Sequence, residues 1–160
     1  MRWSASSCYA ELGASLLFSR GVVVVWGSVL ERQSATPMLA VDDAERALQF
    51  YKAAFGAVEV GDRIPFEGKI GHAEFRVAGA LVMIADEFPE FNRSPKTLGG
   101  TAVMIHVYVD DVDTLVERAV ASGGKLTRPI TDQPYGRIAR IQDPFGHMWV
   151  FNGPVKGSPP

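Results

Sequence analysis

Val41-Asp42-Asp43-Ala44-Glu45-Arg46-Ala47-Leu48-Gln49-Phe50-Tyr51-Lys52-Ala53-Ala54-Phe55-Gly56 decides the fold, because the chain writes the same passage again 68 residues later. Val109-Asp110-Asp111 opens the second copy and Gly124 closes it. Ala44, Ala47, Leu48 and Tyr51 are answered by Val112, Leu115, Val116 and Ala119, an apolar stripe at helical spacing. Asp42 can cap the first helix, with Glu45 three residues on to complete a capping box, and Gly56 ends it as a C′ residue. Outside the helices the match continues: Gly68-Lys69-Ile70 answers Gly136-Arg137-Ile138 at 68, and Gly79 answers Gly146 after one deletion. A repeat of this length implies two copies of one supersecondary unit.

Around each predicted helix the sequence alternates. Strands are expected over residues 36–41, 57–63, 69–77 and 81–85, with a turn over 65–68 and a tight turn at Ala78-Gly79. The second copy repeats the order, with strands over 102–109, 125–128, 136–142 and 148–152, and a loop over 129–134. The predicted fold is therefore α+β, two tandem βαβββ modules pairing into a mixed sheet with the helices on one face. The corresponding boundaries are a divergent N-terminal extension (1–34), first module (35–86), Pro/Gly-rich linker (87–101), second module (102–153) and polar tail (154–160). Each module is too small to hold a comfortable core alone, so the two are expected to share one.

Composition removes several function classes. The 160 residues carry a net charge of −2 and no Lys/Arg run, so nucleic acid is not an expected partner. Glu11 and Arg20 interrupt the apolar N-terminal stretches, leaving none long enough to span a bilayer and arguing against a secretory signal. Val22 to Trp26 favours a strand. A single cysteine, Cys8, cannot form an internal disulfide and fits a cytoplasmic location. Phosphate-binding glycine motifs, a nucleophile elbow and paired metal cysteines are all absent from the sequence.

Strand parity separates two faces. Val103, Ile105, Val107 and Val109, like Ala73, Phe75 and Val77, form aliphatic or aromatic sets expected under the helices, where Trp149 and Phe151 join them. The other face carries Met104, His106 and Tyr108, then His72, Glu74 and Arg76, then Arg140 and Gln142 with Met148, Val150 and Asn152. Apolar volume with a few polar groups is what a small-molecule cleft requires. Met38, His72, Glu74, Met83, Met104, His106, Tyr108 and Arg140 are accordingly the candidate ligand contacts. Arg76 and Arg140 are guanidinium forks suited to planar anions, although an arginine on a strand is often only solvated. The charged pair Asp86-Glu87 reads as a solvated turn, and His147 as exposed.

The module order, the Val-Asp-Asp helix starts, Phe50-Tyr51 and Asp143-Pro144-Phe145-Gly146 resemble the vicinal oxygen chelate superfamily of glyoxalases, bleomycin-resistance proteins and dioxygenases. His72-Ala73-Glu74, Met83-Ile84-Ala85-Asp86-Glu87 and Ser94 to Gly100 resemble its glyoxalase-like branch. The resemblance implies that the paired modules build a strongly curved, cup-shaped mixed sheet with the helices on its outer face, and it implies a homodimer and a small organic ligand. In this branch it also implies that Tyr135, in the hairpin before the strand at Gly136, borders the cleft. Enzymes of the family hold a divalent metal at first- and last-strand positions that fall here on Thr36, Met104, Met83 and Val150. A thioether, a weak hydroxyl and a valine do not suit such an ion, so no cofactor is expected. The reading that follows is a small-molecule binding protein, with antibiotic sequestration as one use. The alternative is a metal-dependent lyase, isomerase or dioxygenase-type enzyme with non-standard groups, His72, Glu74 and His106. A third reading places function in the dimer interface alone.

Overall fold

A computed structural model describes residues 35–157, together with the short strands β1 (Phe18–Ser19) and β2 (Val22–Val23). Those two strands pair antiparallel within a unit spanning Met1–Ala35, separate from the unit Thr36–Pro160. Cys8 and the rest of the strand expected over residues 22–26 lie outside the described residues, as do residues 158–160 of the tail.

The larger unit contains both modules. Module one runs β3 (Met38–Val41), α1 (Ala44–Phe55), β4 (Val58–Phe66), β5 (Lys69–Val77) and β6 (Ala80–Asp86). A one-turn helix α2 (Pro95–Leu98) lies in the connection. Module two runs β7 (Met104–Tyr108), α3 (Val112–Ala121), β8 (Lys125–Gln133), β9 (Gly136–Gln142) and β10 (Met148–Gly153). Each module makes one four-stranded mixed sheet, in the orders β3-β6-β5-β4 and β7-β10-β9-β8. The first strand pairs parallel with the last and the other pairings are antiparallel. Among the described residues no helix is long and apolar enough to cross a membrane.

Several local expectations change by a residue or more. Asp43, not Asp42, caps α1 by accepting from the Arg46 backbone N–H, while Asp42 pairs with Lys96 at 2.8 Å. Glu45 turns to Arg63 and Gln49, so no capping box forms. Gly56 does close α1 in the left-handed region (φ 67°). β4 continues through Pro65, and β8 through Pro129 where a loop was expected. Both lie at the free edge of their sheet, where a missing backbone N–H costs no ladder bond. Val103 precedes β7 and is exposed rather than under the helix.

One continuous core serves both modules. Tyr51 of α1 stacks on Phe75 of β5 at 4.9 Å and meets Trp149 of β10 at 5.4 Å, while Phe55 meets Phe151 at 4.8 Å. Trp149 and Phe151, expected beneath α3, thus contact α1 as well. Because α1 touches the inner faces of both sheets, the opposite face of each sheet turns away from this common core.

Asp143 joins the modules. Its Oδ2 accepts from the Tyr51 hydroxyl at 2.7 Å and from Trp149 Nε1 at 2.9 Å. Its Oδ1 accepts from the backbone N–H groups of Phe145 and His147, both at 2.9 Å. Four donors on one buried carboxylate leave no acceptor unmet. His147, expected to be exposed, is half-buried, and its Nε2 donates to the Ala40 carbonyl at 2.9 Å. Asp86 is not a solvated turn residue either. It is buried, and its carboxylate accepts from the N–H of Ala44 at 2.8 Å and of Ile70 at 2.7 Å, tying the start of α1 to β5. Glu87 accepts from the Ser94 N–H and the Thr97 hydroxyl around the start of α2. Those donors hold its carboxyl below the usual carboxylate range.

Candidate functional site

Apart from Tyr135, which lies in the turn between β8 and β9, the candidate residues occupy strands whose open faces form aligned rungs. In module one a rung reads Met38, Met83, Glu74, Val60 across β3, β6, β5 and β4. In module two the corresponding rung reads His106, Val150, Arg140, Arg128 across β7, β10, β9 and β8. Residues paired in register share a face, with Cβ atoms about 5 Å apart. Met38 answers His106 at 68 residues, Met83 answers Val150 at 67, and Glu74 answers Arg140 at 66. The shift arises in the third strand. β5 meets β6 through the two-residue turn Ala78-Gly79, whereas residues 143–147 separate β9 from β10. An even shift preserves parity, so the faces read from sequence survive although the alignment of β9 does not.

In module one the His72 ring nitrogen Nε2 lies 3.3 Å from Glu74 Oε1, both side chains roughly one-quarter to one-third exposed (27% and 30%). Arg76 is exposed and donates to the Gly79 carbonyl at 2.7 Å, so it closes the turn instead of facing Arg140. Met38 is exposed and Met83 half-buried. In module two His106 stacks on Tyr108 with ring centres 5.0 Å apart, and Tyr108 is 73% exposed. Met104 is exposed, and Tyr135 stands exposed at the tip of the β8–β9 hairpin. Arg140 is half-buried, and its Nε is fully enclosed with no hydrogen-bond partner.

His72 and Glu74 are brought together, but His106 is not added to them: the two groups sit on different sheets, each facing away from the shared core. The two-His, one-carboxylate arrangement therefore does not assemble within one chain. Among the described residues no group of three or more His, Cys, Asp or Glu side chains converges in a way that could hold a metal ion. Of the positions implied for a divalent ion, Thr36 precedes β3, and Met83, Met104 and Val150 offer thioethers and a hydrocarbon. This donor set does not fit a hard or borderline divalent ion.

Arg128 was missed as a site residue. Its strand was predicted to end there, so nothing placed it opposite Arg140. The register shifts of β8 that do so are invisible without the partner strand.

Two βαβββ modules, each a mixed four-stranded sheet with a helix, define an α+β fold of the glyoxalase type. The chain belongs to the Glyoxalase/Bleomycin resistance protein/Dioxygenase superfamily, whose family model matches residues 33–151. An uncharacterised protein of Mycobacterium bovis is 42% identical over 127 residues, covering 76% of this chain and 83% of that protein. The structure of TioX from Micromonospora sp. ML1 is similar at a TM-score of 0.61 and 29% identity, covering 79% of this chain and all (100%) of that one. The fosfomycin resistance protein FosX from Listeria monocytogenes shares the fold at a TM-score of 0.58 and 20% identity, covering 78% of this chain and 92% of that one.

Proposed function

We propose that the protein is a cytoplasmic, metal-independent small-molecule binding protein whose cup is completed by a second copy of the chain. The open face of module one in one copy covers the open face of module two in the other, giving two equivalent cups per dimer. The observation carrying this reading is the exposure, in a single chain, of Met38 (54%), Met104 (51%) and Tyr108 (73%) on those faces. Met104 and Tyr108 flank His106 on one face of a single strand, and half-cups of methionine, tyrosine and histidine make a ligand site only when closed. Sequestration of an organic compound, an antibiotic among the candidates, needs such a pocket and no reacting group. The resistance named for FosX makes that use worth testing.

Sedimentation velocity at micromolar concentration is expected to give a dimer, and Met104→Glu a monomer. Purified without added metal, the protein is expected to carry no stoichiometric Zn, Ni, Fe or Mn. Thermal-shift screening against aromatic and peptide antibiotics should find stabilising ligands for the dimer only. A monomeric native protein overturns the shared cup. A stoichiometric ion whose occupancy falls in His106→Ala or Glu74→Gln would instead favour a metal-dependent lyase, isomerase or dioxygenase-type enzyme.

A further inference from the structure

Arg128 and Arg140 stand directly opposite each other on β8 and β9, on the open face of module two. Like charges in such a cross-strand pair repel, a cost that a sheet without a use for them has no reason to bear. The ion pairs of this module belong elsewhere: Arg137 and Lys156 engage Asp113, and Arg137 also engages Asp132. Among the described residues neither Arg128 nor Arg140 has a carboxylate partner. A second and independent observation is the Arg140 Nε, enclosed and without an acceptor. A buried donor left unmet is costly, and most buried donors in folded proteins are paired. Beside the pair on the same face, Val150 and Met148 of β10 supply apolar surface, and Met104 with the stacked His106 and Tyr108 lie one strand further, on β7.

We infer that Arg128 and Arg140 form a clamp for the oxyanion of a ligand, a carboxylate or phosphate carried on an apolar, ring-sized body. Guanidinium forks match planar and tetrahedral oxyanions through paired N–H donors. Two positive charges facing one anion turn the repulsion of the empty face into attraction of the filled one. The inference rests on the binding-cup reading, and names the ligand class that cup selects. A competing source of negative charge is the carboxylate of Glu74 brought in by a second copy, and the test separates the two.

The probes are benzoate, phenyl phosphate and the neutral isostere benzamide, followed on the dimer by the arginine Nε–H resonances in 1H–15N spectra. Benzoate or phenyl phosphate is expected to shift the Arg140 Nε–H signal, and benzamide to leave it in place. Whichever anion binds better identifies carboxylate or phosphate as the natural head group. Arg140→Met and Arg128→Met should each weaken anion binding by about tenfold or more. Arg140→Lys should restore only part of it, because an ammonium keeps the charge but not the fork. Without ligand, Arg128→Met should raise the melting temperature, a change that a structural arginine would not give. Equal binding of benzamide and benzoate overturns the clamp while leaving a binding cup intact. So does an unshifted Arg140 signal with every probe, and so does anion binding that appears only in Glu74→Gln, which would show the arginines already neutralised by Glu74. A monomer in sedimentation refutes the cup itself, separately from any of these.

Discussion

Module one and module two are one βαβββ unit built twice, and their differences are not spread evenly. Facing the core, the two agree in kind: Phe75 and Ile84 on one sheet, Ile141, Trp149 and Phe151 on the other, all buried. On the open faces the central rungs differ at every position, Met38-Met83-Glu74-Val60 against His106-Val150-Arg140-Arg128. Core positions answer to packing, which tolerates little change in volume or polarity. Open positions answer to whatever occupies the cup, so one half has become thioether and carboxylate, the other cationic and aromatic.

The ends of the last strands differ too. Asp86 closes β6 and binds the start of α1, whereas its counterpart Gly153 closes β10 so tightly against Val109 that a Cβ would lie 2.5 Å from the carbonyl oxygen. Module two places its buried carboxylate in the β9–β10 loop instead, where Asp143 reaches across to Tyr51 of module one. Asp86 therefore serves one module and Asp143 both.

The largest test of that contrast is Asp143→Ala, which strands the Tyr51 hydroxyl, the Trp149 indole N–H and two backbone N–H groups. It should cost about 3–5 kcal/mol in urea unfolding, against about 1–3 kcal/mol for Asp86→Ala, which strands two backbone donors. Equal costs would break the claim that Asp143 ties the modules together. A smaller effect is expected from Tyr51→Phe, about 1 kcal/mol at neutral pH, and its pH dependence is the sharper reading. Burial above all, with Asp143 beside it, pushes the Tyr51 hydroxyl well above its ordinary value. Unfolded, it titrates near pH 10, so above that pH the unfolded chain binds fewer protons than the folded one. Stability that is fully present below pH 10 should therefore fall as pH rises beyond it, and the fall should be shallower in Tyr51→Phe. An unchanged alkaline limb would mean that Tyr51 is not the titrating group. The smallest effect concerns the short turn that only module one has. Ala78 sits at φ 47° before Gly79 at φ 84°, so Ala78→Asn should stabilise by about 0.5–1 kcal/mol in the same unfolding experiment. No gain would argue that this turn is held by Arg76 on the Gly79 carbonyl and not by its own backbone preference.

What could be read without coordinates followed from local rules. Helical periodicity, glycine stops and strand alternation are properties of neighbouring residues, so α1, α3, the module order and the two faces of each sheet were legible. The open-face candidates His72, Glu74, Met104, His106, Tyr108 and Arg140 all sit on the faces that parity assigned. The misreadings cluster where a distant partner decides. Prolines 65 and 129 look like strand breakers until the sheet order puts them on edges. Asp86 and His147 look solvated until residues 42 and 107 positions away in the chain, Ala44 and Ala40, supply their hydrogen-bond partners.

Sequence by itself determined that this chain builds two βαβββ units with one greasy and one mixed face each, because side-chain period follows from backbone geometry. Tertiary structure decided that the helices and inner faces merge into one core, that His106 is held apart from His72 and Glu74, and that Arg128 meets Arg140. Those outcomes depend on strand register and on the loop of residues 143–147, where a shift of two residues leaves every pattern intact yet changes which side chains meet.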